Sequence, residues 1–520
     1  MEIKNVLVSV AILIGMQQTM AQAPAIEWAK IFGGTGLDGL TTTPIETSDG
    51  GYLFKGYTYS NDGDVSGNHG GMDAWIVKLD ASRDLEWQKT FGGSGTESVN
   101  TLIPTPDGGF IMAGNTSSSD GDVVGWHTGT ASGLPTSDIW IVKLDAARNI
   151  QWQKCFGGAG YESLIGFEPT ADGGYIVSGS ASSSDGDVIG NHGGSDVWVL
   201  KLDNACDIQW QKCFGGTGND NGYFIRQASD GGYIFVSTTF STDGDVTSNN
   251  GGADGWFVKL DNTGSIEWQK SIGGTGNESL LAVRQTADGG YIAAGSTWSN
   301  DGDVSGNHGG QDAWLVKMSD TGTIQWQQCF GGTNDDSFGS ASQTSDGGYI
   351  AGGNSKSNDG DVNGNHGDQD GWVIKLDNTI TIEWQRCFGG TGIDGAAVYI
   401  ASGGGYYVWA YTSSNDGDIS GNHGGQDAWI AKLEGSVGLE TYSDKSTFLI
   451  YPNPASSALE ITTNNYQEKE IKMYDVLGTE VLKNENLKMK SGSIHVDVSS
   501  LSNGIYFLQM GNAVQKFLKQ

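Results

Sequence analysis

Residues 312–330 read DAWLVKMSDTGTIQWQQCF, and this stretch contains the unit that decides the fold. Apolar and β-branched residues from Ala313 to Met318 predict a strand, Ser319 to Gly322 a turn, and Ile324 to Phe330 a returning strand. The stretch therefore predicts one antiparallel hairpin.

The residues before this hairpin predict a second one. Leu280 to Gln285 and Tyr291 to Thr297 have the composition of strands and flank the turn Ala287-Asp288-Gly289-Gly290. Asp-Gly-Gly supplies the positive φ angles that a tight hairpin turn requires. Because a polar loop joins the two hairpins, the unit predicts four antiparallel strands, the content of one β-propeller blade.

This unit recurs along the chain. The tryptophan of the fourth strand recurs at Trp28, Trp87, Trp152, Trp210, Trp268, Trp326 and Trp384. The tryptophan of the third strand recurs at Trp75, Trp140, Trp198, Trp256, Trp314, Trp372 and Trp429. The spacing is 58 residues almost throughout, and the one long interval contains an inserted loop around Trp126 to Pro135. Such a period is typical of a repeat architecture, here with seven units.

The two ends of the repeat array predict a closed ring. The seventh unit supplies strands near Ala396 to Ile400, Tyr406 to Thr412 and Ala428 to Leu433, but no fourth strand. Ile26 to Phe32 (IEWAKIF) has the fourth-strand sequence and precedes the first unit. We therefore predict an all-β fold, a seven-bladed propeller over residues 24–434 closed by its N-terminal strand, which leaves only short edges. A linear solenoid is the alternative.

The repeats resemble the bacterial seven-bladed β-propeller repeat family. The shared features are the GG-x-D-A-[FW]-[IV]-V-K-L-D core and a trailing strand that ends in Gly-Gly, and they cover Ile26 to about Glu434. The resemblance implies a fold and a surface location. That family carries no common catalytic site, so the resemblance lends no enzymatic activity.

The N-terminus has the features of a secretory signal peptide. Lys4 precedes the apolar run Val6 to Gly15, and the small-residue stretch Ala21-Gln22-Ala23 follows. We predict a signal peptide over residues 1–23 with cleavage after Ala23. The apolar run has roughly half of the ~20 residues that a membrane helix needs, so we expect no membrane span in the mature chain.

A different domain follows the repeats. After a linker at residues 435–447, the chain contains FLIYPNP (448–454), IKMYDVLGTEV (471–481) and VDVSSLSNGIYFLQ (496–509). Residues 448–520 resemble the type A sorting domain of the Bacteroidetes type IX secretion system. The resemblance implies a small Ig-like β-sandwich that addresses the folded protein to the outer-membrane translocon, with release or attachment at the outer-membrane surface.

Charge narrows the range of ligands. The net charge is −33, yet from Lys445 to the C-terminus eight lysines face seven acids, so the acidity belongs to the propeller. A strongly negative body repels phosphate backbones and anionic lipid surfaces, which excludes nucleic acid and membrane as expected partners.

The loop between the second and third strands predicts a calcium (Ca2+) site. Numbered from Asp62, the loop has oxygen ligands at positions one, three, five and twelve and glycine at six, in the order of EF-hand-type loops. Four blades carry the full set: Asp62, Asp64, Ser66, Asp73; Asp301, Asp303, Ser305, Asp312; Asp359, Asp361, Asn363, Asp370; and Asp416, Asp418, Ser420, Asp427. Calcium would offset self-repulsion among these acids and stabilise the fold by mass action.

The same loops admit a structural interpretation. Asp and Asn side chains satisfy backbone groups of tight turns, and the departures at Val124, Ile189 and Ser248 weaken the calcium pattern in three blades. Six histidines lie in these loops, one per blade, so convergence on one transition metal is unfavourable and a turn-stabilising or recognition role is expected. Four of the five cysteines occupy one equivalent fourth-strand position in different blades, which predicts no disulfide framework.

No catalytic motif stands out. Two G-x-G-x-x-G matches, at Gly34 to Gly39 and Gly390 to Gly395, join strands and lack the following helix that holds a phosphate. We predict a secreted or cell-surface, non-enzymatic propeller that binds a glycan, protein or matrix ligand. An exported glycan lyase or hydrolase with an acidic site on the propeller face is the alternative. The asymmetric features are the insertion, Trp298 and Trp409, which form either a ligand surface or packing contacts.

Overall fold

The structure is a computed structural model. It describes residues 21–519 except 42–43, 128, 132–133, 436–447, 452–454, 464–470, 476–478, 480, 482–486, 491–492 and 511–512. Residues 1–20 of the predicted signal peptide and most of the predicted linker thus lie outside the described residues. The chain divides into two compact units, Met1–Gly435 and Ser436–Gln520.

The first unit consists of seven antiparallel sheets in chain order, which confirms the predicted propeller. The first three blades contain β2 (Asp38–Leu40), β3 (Ile45–Glu46), β4 (Tyr52–Thr58), β5 (Asp73–Leu79) and β6 (Leu85–Phe91); β7 (Glu97–Pro104), β8 (Phe110–Thr116), β11 (Asp138–Leu144) and β12 (Ile150–Phe156); and β13 (Glu162–Pro169), β14 (Tyr175–Ala181), β15 (Asp196–Leu202) and β16 (Ile208–Phe214). The insertion forms a small hairpin of β9 (Thr130–Ala131) and β10 (Leu134–Pro135).

The next three blades repeat this arrangement. They contain β17 (Asp220–Gln227), β18 (Tyr233–Thr239), β19 (Asp254–Leu260) and β20 (Ile266–Ile272); β21 (Glu278–Gln285), β22 (Tyr291–Thr297), β23 (Asp312–Met318) and β24 (Ile324–Phe330); and β25 (Asp336–Gln343), β26 (Tyr349–Ser355), β27 (Asp370–Leu376) and β28 (Ile382–Phe388). The first strands of neighbouring blades contact one another, as β13, β17, β21 and β25 do, so these strands surround the central channel.

The N-terminal strand closes the ring. The seventh blade has the order β1-β31-β30-β29, made of β1 (Ile26–Phe32), β31 (Asp427–Leu433), β30 (Tyr406–Thr412) and β29 (Ala397–Ile400). Trp28 pairs with Lys432 and Ile31 with Trp429 in an antiparallel register. The outer strand of the last blade therefore comes from the start of the chain, as the sequence predicts.

Buried aromatic side chains hold adjacent blades together. The third-strand tryptophans of the first six blades are fully buried. Each donates its Nε1–H to a fourth-strand glutamine of its own blade, as Trp314 does to Gln327 at 2.8 Å. Trp372 and Phe338 of the sixth blade pack with Leu315 of the fifth, so one apolar layer spans the joint between blades.

A buried lysine fixes the turn between the first two strands. Lys317 of DAWLVKM is nearly fully buried, and its Nζ lies 2.9 Å from Asp288 of the Ala-Asp-Gly-Gly turn. The same ion pair forms in the first six blades: Lys78–Asp49, Lys143–Asp107, Lys201–Asp172, Lys259–Asp230, Lys317–Asp288 and Lys375–Asp346. In the seventh blade Lys432 instead pairs with Glu27 of the closing strand.

The second unit contains two antiparallel sheets. The first has the order β32-β33-β36-β35, made of β32 (Phe448–Tyr451), β33 (Ala458–Thr463), β36 (Ser493–Asp497) and β35 (Leu487–Lys490). The second has the order β34-β37-β38, made of β34 (Ile471–Asp475), β37 (Gly504–Met510) and β38 (Ala513–Lys519). Leu459 and Val496 of one sheet and Met473 and Leu508 of the other share a buried cluster, as in the predicted β-sandwich.

Helices long and apolar enough to cross a membrane do not occur in the part of the chain that the structure describes.

Candidate functional site

The loops between second and third strands lie at one end of the propeller together with the Gly-Gly connections between blades, and we call this end the loop face. The first aspartate of each Asp-Gly-Asp triplet accepts the backbone N–H of a residue in the connection, as Asp301 does from Thr275 at 2.8 Å. Gly302 between the two aspartates has a φ of 64°, and a β-carbon there would lie 2.4 Å from the carbonyl oxygen of Gly273. The triplet is therefore a close-packed turn.

These first aspartates remain ionised because the turn donates hydrogen bonds to them. The Thr275 backbone and side chain hold the pKa of the Asp301 carboxyl below its usual range. The same cause lowers the pKa at the equivalent residues Asp62, Asp243, Asp359 and Asp416. Position one of the predicted calcium loop thus already has hydrogen-bond partners in the connection that precedes its blade.

Position twelve is a fully buried aspartate that orients the loop histidine. Asp312 Oδ2 lies 2.6 Å from His308 Nδ1 and also accepts the His308 backbone N–H. The same contact recurs at His69–Asp73, His127–Asp138, His192–Asp196, His366–Asp370 and His423–Asp427. The fourth blade has Asn250 in place of histidine and keeps the backbone hydrogen bond to Asp254. These contacts support the turn-stabilising role of the histidines, and their recognition role stays a prediction.

The other oxygen of each buried aspartate has no hydrogen-bond partner in the described part of the chain. This holds for Oδ1 of Asp73, Asp138, Asp196, Asp254, Asp312, Asp370 and Asp427. This oxygen lies beside the carboxylate of the first residue of the next blade. At the joint between the fourth and fifth blades, Asp254 Oδ1 and Glu278 Oε2 approach the same side of Gly273: a β-carbon placed on that glycine would lie 2.6 Å from the first oxygen and 2.4 Å from the second. Burial raises the pKa of Asp254 to about 6, and the Glu278 carboxylate adds to the shift. Each joint between blades therefore contains a pair of buried carboxyl groups.

Position three of the loop faces a different joint from position twelve. Asp64 accepts the Gly33 backbone N–H, and its Oδ2 lies 4.0 Å from His423 Nε2 of the preceding blade. Asp361 likewise accepts from Gly331, and Asp418 forms an ion pair with Arg386 at 2.9 Å. Position three thus contacts the previous joint and position twelve the next one, so the structure does not bring them together.

Position five contacts the fourth strand of its own blade. Ser66 Oγ accepts from Gln88 Nε2 at 2.7 Å and Ser305 Oγ from Gln327 Nε2 at 2.8 Å, while Asn363 offers its carbonyl to Gln385. Ser420 is exposed. Among the described residues no group of three or more His, Cys, Asp or Glu side chains is arranged to hold a metal ion. The hydrogen bonds match the turn interpretation, and calcium binding stays a prediction.

Exposed apolar side chains form a second feature of the loop face. They occupy two positions, one just before the first strand and one just after the second, and these are the two strands nearest the channel. Their side chains are 44% to 50% exposed: Leu37, Tyr59, Tyr161, Phe240, Trp298 and Ile393. We call these six residues the apolar crown.

The two crown positions of a blade are neighbours. The backbone N–H of Trp298 donates to the carbonyl of Asn277 at 3.0 Å, and Tyr59 donates to Leu37 at the same distance. The equivalent positions hold polar residues in other blades, namely Thr96, Ser117, Ser182, Asn219, Asn277, Asp335, Lys356 and Ser413. The crown residues therefore alternate irregularly with polar side chains, although the backbone that carries them is the same in every blade.

Sequence reasoning identified Trp298 as one of three tryptophans outside the two repeated series and missed the rest of the crown. Alignment of the seven units shows the missing signal, because the position of Trp298 changes from blade to blade while its neighbour Ser299 is serine in all seven. Trp409 differs from Trp298: it is half-buried and packs against Trp75 and Ile430. Trp126 of the insertion is also half-buried and packs in the core of the second blade.

The five cysteines are free thiols in the structure. Cys155, Cys213, Cys329 and Cys387 lie opposite the third-strand tryptophan of their own blades, as their equivalence in sequence predicts. Burial raises the pKa of Cys155, Cys206, Cys213 and Cys329 to about 12. They are therefore poor nucleophiles at neutral pH.

Comparison with known proteins identifies the second unit. Residues 449–520 match the secretion system C-terminal sorting domain. This domain indicates secretion by the type IX system and attachment at the cell surface, and its presence is consistent with a Bacteroidetes origin. A search of curated proteins finds no match.

Solved structures resemble the propeller only distantly. The WD40 domain of Neurospora crassa Pan2 is 9% identical over 77% of this chain and 90% of that chain, with a TM-score of 0.41. BBS1N in complex with ARL6DN is 10% identical over 80% and 99%, with a TM-score of 0.42. A PL25 ulvan lyase with bound saccharide is 10% identical over 80% and 97%, with a TM-score of 0.43. Likenesses at this level carry no argument about function.

The class of protein is defined by these observations. The chain is a seven-bladed β-propeller joined to a type IX sorting domain, and it is exported to the cell surface.

Proposed function

We propose that the exported propeller binds an extracellular ligand on its loop face without turning it over, and that the apolar crown forms the contact surface. The observation that carries this proposal is the half-exposure of Trp298, Phe240 and Tyr59 at one variable position of an otherwise repeated frame. Large exposed apolar side chains that cluster among polar ones mark interaction sites. Tryptophan and tyrosine supply a large share of binding energy where they occur in interfaces.

The chemistry of the crown fits a glycan best. Aromatic faces pack on the C–H faces of sugar rings, and the amide and hydroxyl groups of Asn219, Asn277 and Ser413 can hydrogen-bond sugar hydroxyls. Aromatic side chains with a few placed polar groups are the usual lining of ligand sites. A protein or matrix ligand would use the same residues and is the other outcome of the test.

A binding role rather than catalysis is supported by the state of the loop-face acids. The carboxylates of Asp301 and Asp312 already accept hydrogen bonds from Thr275 and His308, in the same way as their equivalents in other blades. An acid that works in catalysis normally differs from its neighbours in environment. We therefore assign these acids to the frame and the crown to the ligand.

The test is binding of the purified chain to a panel of immobilised extracellular polysaccharides and matrix proteins. The wild type should bind at least one member, and the double variant Trp298→Ala, Phe240→Ala should bind it at least tenfold more weakly. Ile189→Ser is the control, because Ile189 is an apolar residue outside the crown that is even more exposed than Trp298 and Phe240. Equal binding by the crown variant, or release of soluble fragments from the polysaccharide, would overturn the proposal, the second result in favour of the glycan-active enzyme.

A further inference from the structure

Charged side chains gather in the central channel, at the end away from the loop face. Arg226 of β17 and Arg284 of β21 occupy the same position in the fourth and fifth blades, one residue before the strand ends. They pair with Ile234 and Ile292, next to the Asp-Gly-Gly turns. The equivalent residue of the third blade is Glu168.

Interactions between blades that are not neighbours place these side chains across the channel from one another. The Cζ of Arg284 lies 5.1 Å from the ring centroid of Tyr399, which belongs to the seventh blade. Lys55 of the first blade, a buried residue, is close enough to Arg226 of the fourth blade for the two charges to repel each other. Five of the seven blades thus contribute one side chain each to this cluster: Lys55, Glu168, Arg226, Arg284 and Tyr399.

The cluster has fewer anions than cations. Arg226 forms an ion pair with Glu168, but its Nε is buried and has no hydrogen-bond partner among the described residues. Neither Lys55 nor Arg284 forms an ion pair in the part of the chain that the structure describes. Three cations and one carboxylate leave an excess of positive charge inside a protein whose net charge is −33.

Such an arrangement costs stability. Burial, with the Arg226 guanidinium, lowers the pKa of Lys55 to about 7. Burial and the nearby Arg284 lower the pKa of Arg226 to about 9. A buried charge without a partner destabilises the folded state. The other blades have uncharged residues at the position of Lys55, namely Ala113, Ser178, Val236, Ala294, Gly352 and Trp409. A bound anion would supply the missing partner.

We propose that Lys55, Arg226 and Arg284 form an oxyanion site in the central channel, which binds a carboxylate, sulfate or phosphate group of a ligand. Guanidinium groups bind these planar or tetrahedral oxyanions through paired N–H donors. Burial of these side chains from water strengthens each charge-assisted hydrogen bond. Glu168 competes with the ligand for Arg226. The site does not depend on the crown, which lies at the opposite end of the first strands.

The site is tested by titration calorimetry of the purified chain at low ionic strength. The probes are sodium sulfate, sodium phosphate and sodium glucuronate, which show whether the site prefers a sulfate, a phosphate or a carboxylate group. Arg284→Met should weaken binding about ten- to hundredfold, the loss expected for charged hydrogen bonds. Glu168→Gln should strengthen binding, because it removes the competing carboxylate. Lys356→Met is the control, since this exposed lysine carries the same charge on the loop face.

A second variant separates binding from folding. Lys55→Met removes a buried charge at similar volume, so the melting temperature should not fall, while affinity for the probe falls at least tenfold. Affinity of the wild type for sulfate, whose charge does not change near neutral pH, should also fall as the pH rises through 7, because the pKa of Lys55 is lowered to about 7. Arg226, Arg284, Glu168 and Tyr399 are the other titratable groups of the cluster. Binding of none of the three probes, or equal affinity in Arg284→Met and Lys356→Met, would overturn the proposal.

Discussion

The joints between blades and the apolar crown lie on the same face of the propeller, yet the joint residues are repeated from blade to blade and the crown residues are not. At the joints the same contacts recur: the His308–Asp312 pair has equivalents in six of the seven blades, and the buried serine at Ser299 has equivalents in all seven. At the crown the residue changes from blade to blade, while the backbone hydrogen bond beneath it does not. The comparison teaches that repetition marks the residues that hold the ring, whereas variation marks the surface available to a ligand.

The largest effect is expected from removing the strand that closes the ring. Deletion of residues 26–32 takes away the outer strand of the seventh blade and exposes the edge of β31. Loss of a whole strand removes a hydrogen-bonded ladder and the packing of Trp28 and Ile31, so we expect more than about 5 kcal/mol of destabilisation and aggregation. Thermal melting followed by circular dichroism measures it. A variant that keeps the wild-type melting curve would show that the ring does not need this closure.

The joint carboxyl pairs should make stability depend on pH. Burial raises the pKa of Asp138 and Asp254 to about 6, above the unfolded value near 3.9. Between pH 4 and 6 the folded state therefore binds more protons than the unfolded state does. The free energy of unfolding consequently falls as the pH rises through 6, by up to about 3 kcal/mol for each pair. The melting temperature should be higher at pH 5 than at pH 8.

Asp254→Asn sharpens this prediction. The amide keeps the acceptor for Asn250 and gives a donor toward the Glu278 carboxylate. We expect the variant to melt higher than the wild type at pH 8 and to show a smaller difference between pH 5 and pH 8. A lower melting temperature at both pH values would mean that the carboxyl pair stabilises the joint while both groups are charged.

Calcium tests whether the repeated loops do more than form turns. At a calcium concentration 100 times its dissociation constant, a single loop site would add about 2.7 kcal/mol of stability by mass action. Differential scanning calorimetry with calcium and with chelator measures this shift. Loops held only by the hydrogen bonds of Asp301, Asp312 and their equivalents would give the same melting temperature in both buffers.

The sequence predicts the frame because the frame is periodic. The strand at Ile324–Phe330 and the closing strand at Ile26–Phe32 have the predicted bounds, since both carry the regularly spaced fourth-strand tryptophan. The first strand of the first blade departs from the pattern: it forms two short pieces, Asp38–Leu40 and Ile45–Glu46, with Pro44 between them, and proline cannot donate to the ladder.

The site is less predictable because it depends on which residues meet across the ring. Asp62, Asp64 and Asp73 lie within twelve residues of one another, which suggested one loop site, but they contact different partners in their own and neighbouring blades. Arg226 lies near Lys55 and Arg284, both distant from it in sequence, only because the inner strands surround a channel. Only a unit-by-unit comparison could have found them, because it isolates the lysine at an otherwise uncharged position and the arginines at the same position of two neighbouring units.

The adjacent residues Trp298 and Ser299 test the central claim most directly. Ser299 is buried and accepts the Gly276 backbone N–H at 2.8 Å, whereas the Trp298 side chain is half exposed. Equilibrium unfolding in urea should show that Ser299→Ala loses about 1 to 3 kcal/mol, because it leaves a buried N–H without a partner, and that Trp298→Ala stays within about 0.5 kcal/mol of the wild type. Equal losses in the two variants, or a larger loss for Trp298→Ala, would contradict the division between repeated frame and variable binding surface.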